Sequence, residues 1–152
     1  FGNISQRIGT TDTFYVSGSA TGGHAELGAA HFAKVTAVDA VRNRLWCSGP
    51  ILASSESMSH AVLYEQLPWV RGVIHIHHLA AWQQLLHQVP TTDASAPYGS
   101  PEMVRSIATL LQTTDLPEQR LFVMEGHREG IFAFGESLEA AFAILASNLI
   151  SH

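Results

Sequence analysis

A chain of 152 residues with 46% apolar content can bury one sizeable core, and it predicts a single domain over residues 1–152. A net charge of −5, with Lys34 the only lysine, argues against a nucleic-acid binder, which needs a basic stripe to displace counterions. No apolar run reaches the roughly 18–20 residues of a membrane span, and the single Cys47 permits no internal disulfide, which fits a reducing, cytoplasmic setting.

The opening Phe1-Gly2-Asn3-Ile4-Ser5 has no charged region followed by an apolar one, so no signal peptide is expected. It reads as the middle of a motif, and an N-terminal helical segment is expected upstream. Residues 12–17 (Asp-Thr-Phe-Tyr-Val-Ser) predict a strand, followed by a Gly/Ser loop at 17–23. Residues 32–38 and 44–47, short and rich in β-branched and aromatic side chains, predict two more strands, antiparallel because their connections are short. Residues 55–66 predict a helix capped by Ser54 or Ser55. Residues 72–77 predict a buried strand, and 79–87 a short helix.

Helix 101–111 is signalled by Ser100 as cap, by Pro101 at the first position, and by Met103, Val104, Ile107, Leu110 and Leu111 on one face. Residues 121–124 and 130–134 predict strands around a Glu-Gly-His turn. A final helix at about 137–150 places Leu138, Phe142, Leu145 and Leu149 in one core-facing stripe. Strands on short turns with interspersed helices predict a mostly antiparallel sheet covered by helices.

Nine histidines are many for this length. His75 and His77 lie two apart on a predicted strand, so both imidazoles leave the same face while Ile74 and Ile76 point into core. Such a pair is a ready chelator for a borderline metal, yet two histidines satisfied by backbone groups would look the same in sequence. His127, in the turn before Glu129-Gly130, is the best third ligand, and three neutral ligands would leave an open position. His78 should face away from the pair; His24, His31, His87 and His152 read as surface residues. Glu56 opens a predicted helix, where a carboxylate is either a favourable N-terminal charge or an acid/base beside a metal. Burial would raise its pKa and a cation would lower it. His60 lies four residues on and shares its helix face.

In order along the chain stand Gly2-Asn3-Ile4-Ser5-Gln6-Arg7, Ser54-Ser55-Glu56 with His60, and Val73-Ile74-His75-Ile76-His77. Tyr98-Gly99-Ser100-Pro101-Glu102, Gly126-His127 with Gly130, and Gly135-Glu136-Ser137-Leu138-Glu139-Ala140 follow. In this order and spacing, over nearly the whole chain, they resemble the class II aldolase/adducin-head family, of which the chain looks like a divergent member.

The resemblance implies a three-layer α/β/α fold with a central, mostly antiparallel sheet. It also implies a homo-oligomer, commonly a tetramer with active sites at subunit interfaces, and one divalent ion, Zn²⁺ first among candidates, on His75, His77 and His127. Glu56 matches the family's catalytic acid/base, and Asn3, Ser54 and Ser55 match positions that bind a substrate phosphate. The family's phosphate loop corresponds to residues 17–23, where Ser19 or Thr21 could supply the matching hydroxyl; Ser19 is the candidate. The implied function is that of a metal-dependent lyase of carbohydrate metabolism, acting on a small hydroxy-carbonyl or sugar-phosphate-like substrate through an enediolate. Alternatives are a non-catalytic, adducin-head-like assembly module, or an epimerase or decarboxylase on the same metal. No tyrosine occurs from 79 to 97, where family members carry a proton donor, so the acid set differs.

Overall fold

The segments Leu121–Met124 and Gly130–Gly135 are buried along their whole length, so both faces of these strands need cover. In the computed structural model, which describes residues 2–18 and 26–150, that cover is a helix layer on each side of one sheet. The described strands are β1 (Gly2–Arg7), β2 (Phe14–Ser17), β3 (Phe32–Asp39), β4 (Arg44–Ser48), β5 (Gly72–His77), β6 (Thr91–Thr92), β7 (Leu121–Met124) and β8 (Gly130–Gly135). The α-helices are α1 (Ser57–Gln66), α2 (Leu79–Leu85), α3 (Pro101–Thr113), α4 (Leu116–Gln119) and α5 (Leu138–Ile150).

The sheet runs β4-β3-β2-β1-β5-β8-β7-β6, and every pairing except the parallel β6–β7 is antiparallel. On one face Val73, Phe122, Phe132 and Phe134 pack against Leu63 and Tyr64 of α1 and Met103 and Ile107 of α3. On the other, Ile74, Ile76, Val123, Ile131 and Ala133 pack against Ala81 and Leu85 of α2 and Leu145 of α5. This is the expected α/β/α arrangement. No helix among the described residues is long and apolar enough to cross a membrane.

Differences from the sequence reading are local. β1 carries no strand prediction, because its inward residues Asn3, Ser5 and Arg7 are polar. β6 and α4, two and four residues long, are too short to leave a periodic signal. Helix α1 starts at Ser57 with Glu56 in the N-cap position, and no side chain caps it; Ser54 Oγ instead accepts from the Glu56 N–H at 3.2 Å. By contrast, Ser100 caps α3 as expected, accepting from Met103 N–H at 3.1 Å. In α5 the buried residues are Ala141 and Leu145, flanked by Ile144 and Leu149, while Phe142 is 65% exposed. One residue is roughly 100° of helix rotation, enough to carry Phe142 off the buried stripe. Ser19, Thr21, His24 and His152 lie outside the described residues.

Gly72 starts β5 directly beneath the start of α5. A Cβ there would lie 2.5 Å from the Leu138 amide nitrogen and 2.7 Å from the Ser137 carbonyl carbon. Gly72→Ala should therefore destabilise the fold by roughly 1–3 kcal/mol, as overpacking does. Urea unfolding should show the lower midpoint with an unchanged slope; an unchanged midpoint would mean that the start of α5 can retreat without cost.

Candidate metal centre

Strand alternation in β5 puts His75 on the α1/α3 side of the sheet, in line with Val73, and sends Ile74 and Ile76 into the opposite core. His75 is buried and His77 half-buried, with ring centroids 5.0 Å apart. The turn between β7 and β8 brings the His127 ring to 5.4 Å from His75 and 4.6 Å from His77. Glu56 arrives from the start of α1. These four residues each offer one ligand atom, and the four atoms lie within 4.8 Å of one another.

The carboxylate bridges two of the rings. Glu56 Oε2 is 3.1 Å from His75 Nε2, and Oε1 is 3.2 Å from His127 Nδ1. Both distances lie within hydrogen-bond range, yet Glu56 Oε1, His75 Nε2 and His127 Nδ1 are buried without a hydrogen-bond partner. His75 Nδ1–H donates to the Ile131 carbonyl at 3.1 Å. A neutral His75 therefore turns the lone pair of Nε2 toward a carboxylate oxygen. Two acceptors this close repel unless a cation lies between them. Three imidazole nitrogens and one carboxylate oxygen, one ring oriented by a backbone carbonyl, fit a borderline divalent ion.

Burial works to raise the pKa of Glu56, but hydrogen bonding and positive charge from His127 and His75, in the forms of those rings that carry a proton toward the carboxylate, outweigh it and hold the carboxyl well below the usual carboxylate range. Burial thus acts in the direction expected from sequence, and the histidines, rather than a cation, are what keep Glu56 ionised. His77 is pushed down by burial and then by its neighbours His75 and His127, which favours the neutral, ligating form.

Around the cluster, Asn3 Nδ2 donates to Glu56 Oε2 at 3.1 Å and to Ser54 Oγ at 3.2 Å. His60, wholly buried, donates from Nε2 to Asn3 Oδ1 and contacts Ser5 Oγ through Nδ1 at 2.5 Å. Phe132 stacks on His75 at 4.4 Å, and the 55%-exposed Tyr98 ring lies 4.5 Å from His127.

Of the sequence candidates, Glu56, His75, His77 and His127 converge. Asn3 and Ser54 adjoin Glu56, Ser55 is exposed beside them, and Ser19 is outside the described residues. His78 turns away and accepts from Ala81 N–H at 3.1 Å, capping α2; His87 is exposed and pairs with Glu125 at 2.7 Å. The involvement of Ser5, Tyr64 and Tyr98 was not foreseen, and His60 was noted only as sharing a helix face with Glu56. The available signal was the period-two polar series Asn3, Ser5, Arg7. A cavity of about 600 Å³, lined by Ile4, Gln6, Tyr15 and Lys34 among others, opens on the opposite face of the sheet and does not reach the cluster.

Fold and site together define a class: an α/β/α protein with a histidine–carboxylate cluster at the end of its central strand. Residues 1–147 match the family model "Class II Aldolase and Adducin N-terminal domain", and the chain belongs to that family. Among solved structures it is similar to an L-fuculose 1-phosphate aldolase (TM-score 0.73, 18% identity, 99% of this chain and 71% of that one). It is also similar to YgbL from Escherichia coli (0.67, 17%, 96% and 73%) and to a sugar-phosphate aldolase from Thermotoga maritima (0.67, 13%, 97% and 80%). At these identities the likeness shows the fold. A search of curated protein sequences finds no match.

Burial, aided by His75, pushes the pKa of His60 from 6.5 down to about 3, against a smaller opposing pull from Glu56. The folded chain thus keeps His60 neutral in a range where the unfolded chain protonates it. The stability this contributes is full above about 6.5 and is lost as pH falls toward 3. The slope is at most about 1.4 kcal/mol per pH unit for one proton. Urea unfolding across that window should show the decline, with a shallower one in His60→Gln. Equal slopes in the two proteins would refute His60 as the source.

Proposed function

We propose that the protein is a metal-dependent lyase of the aldolase type, acting on a small hydroxy-carbonyl or sugar-phosphate-like compound through an enediolate. The observation that carries this reading is the convergence of the Glu56 carboxylate on His75, His77 and His127, with buried ligand atoms left unpaired. His75, His77 and His127 would hold a divalent ion, Zn²⁺ by the nature of the donors, whose charge would favour an enediolate over the parent carbonyl compound. The complete cluster favours an enzyme over a non-catalytic assembly module. An epimerase or decarboxylase would use the same residues.

Glu56 is the proton-moving group. Asn3 donates to Oε2, whereas Oε1 has no hydrogen-bond partner, and to Oε1 we assign removal of a proton from the carbon beside the substrate carbonyl and its return. Ionisation of Glu56 in the folded protein suits it to act first as a base. Asn3, Ser54, Ser55 and Ser19 are the proposed contacts to a substrate phosphate. Asn3 and Ser54 are already engaged with Glu56, so Ser55 is the exposed hydroxyl among the three described. A homo-tetramer and a cytoplasmic role in carbohydrate metabolism extend the same reading by family likeness.

His77→Ala should remove most of the bound metal from purified protein; elemental analysis showing full occupancy in that variant would overturn the ligand assignment. Glu56→Gln should keep the fold and lose roughly 10²–10⁴-fold in rate, the usual contribution of a positioned acid/base. Solvent deuterium exchange into dihydroxyacetone phosphate, and into its unphosphorylated analogue, reads proton removal without the aldehyde partner. Exchange at the wild-type rate in Glu56→Gln would eliminate Glu56 as the base, and the ratio between the two compounds reports the phosphate requirement.

A further inference from the structure

A line of side chains runs from Glu56 into the core, and its hydrogen-bond direction is determined at the Glu56 end. Asn3 donates through its amide nitrogen to Glu56 Oε2 at 3.1 Å and to Ser54 Oγ at 3.2 Å. The amide oxygen then faces His60 Nε2, which must carry a hydrogen. A neutral His60 accepts at Nδ1, so Ser5 donates its hydroxyl proton there at 2.5 Å. Ser5 Oγ in turn accepts from Tyr64 O–H at 2.7 Å. Ser5 is 1% exposed and His60 and Tyr64 are 0% exposed, so water does not compete for these bonds.

The chemistry of the links limits what the line can do. Hydroxyl and imidazole groups relay protons, but the Asn3 amide between His60 and Glu56 does so poorly. Proton delivery to Glu56 is therefore not its use; orientation is. Without the His60 donor, the Asn3 oxygen would be buried unsatisfied, and the amide could flip to set that oxygen against the carboxylate. The geometry points to His60 as a positioning residue that acts through Asn3 to hold Glu56 with one oxygen at His75 and the other at His127. This inference rests on the reading of the cluster as a metal centre in which Glu56, the base once substrate is bound, is a fourth donor to the ion in the substrate-free protein.

The test is Co²⁺ binding, with the metal alone as probe, in a cycle of His60→Leu, Glu56→Ala and the double variant. His60→Leu should weaken Co²⁺ binding roughly 10–100-fold, the usual effect of losing a partner that orients a ligand. It should add nothing in the Glu56→Ala background, because its effect passes through Glu56. His60→Gln, which can place an N–H near the former Nε2, should recover most of the affinity. Should His60→Leu fail to fold, His60→Phe replaces it in the cycle, since it keeps a ring against Phe14 and Phe132 and removes the donor to Asn3. Unchanged Co²⁺ affinity, or the same loss with and without Glu56, overturns the positioning role. Folded wild-type protein that binds no Co²⁺ would instead sink the metal-centre reading and this inference with it.

Discussion

The antiparallel register that sets Asn3 opposite His75 is the constraint on which the rest of the site depends. Side chains alternate faces along a strand, so this register turns Asn3, Ser5 and Arg7 inward, toward α1. A slip of one residue would send all three to the other face and present Ile4 and Gln6 instead. Gly2 permits the approach. A Cβ at Gly2, whose φ is +150°, would sit 2.1 Å from the carbonyl oxygen of His75. The Gly-Asn pair therefore combines a position where the two backbones come too close for a side chain with the amide that reaches Glu56.

The same strand secures α1 along its length. Asn3 holds Glu56 before the first turn, and Ser5 meets His60 and Tyr64 in the middle. At the far end the Arg7 guanidinium donates to the carbonyls of Tyr64 at 2.8 Å and Leu67 at 3.1 Å, lies 4.8 Å from the Tyr64 ring centroid, and bonds Val70 at 2.7 Å. Carbonyls at a helix end lack partners in the helix, and a cation there is favoured. Hydrogen bonds to charged groups contribute roughly 1.5–3 kcal/mol each, and a buried guanidinium left unpaired would cost more. This accounts for a helix with Ser57, Ser59 and His60 all buried, which hydrophobic burial alone would not hold.

These contacts also explain which parts were legible in the sequence. β5 and α3 were readable because local chemistry and tertiary role agree: β-branched residues around a same-face histidine pair, and a Ser-Pro start before a regular apolar stripe. β1 was not, because its buried face is the polar one and the usual alternation rule runs backward there. The cap of α1 was misplaced for a related reason. Ser54 and Ser55 both have capping chemistry, but Ser54 spends its oxygen on the Glu56 amide and Asn3, which no local rule reveals. Phe142 shows the limit of periodicity: a helix as apolar as α5 carries more hydrophobic residues than its buried stripe can take. Each motif of the histidine–glutamate cluster had an ordinary structural explanation alone; it was their order and spacing together, through the family resemblance, that joined Glu56, His75, His77 and His127, and the fold brings their ligand atoms within 4.8 Å of one another.

Glu56 occupies the N-cap position of α1 yet does not cap it. A capping side chain there is worth about 1 kcal/mol, so the arrangement forgoes local stability. What the position offers instead is a carboxylate that stays charged while buried. The start of a helix favours a negative charge, Asn3 donates to Oε2, and the ring nitrogens of His75 and His127 stand at the two oxygens. In mid-helix the first of these would vanish and burial would drive the carboxyl toward its neutral form. The departure from local stability thus coincides with the one acidic group in the cluster, and departures of that kind concentrate where a fold serves chemistry rather than its own packing.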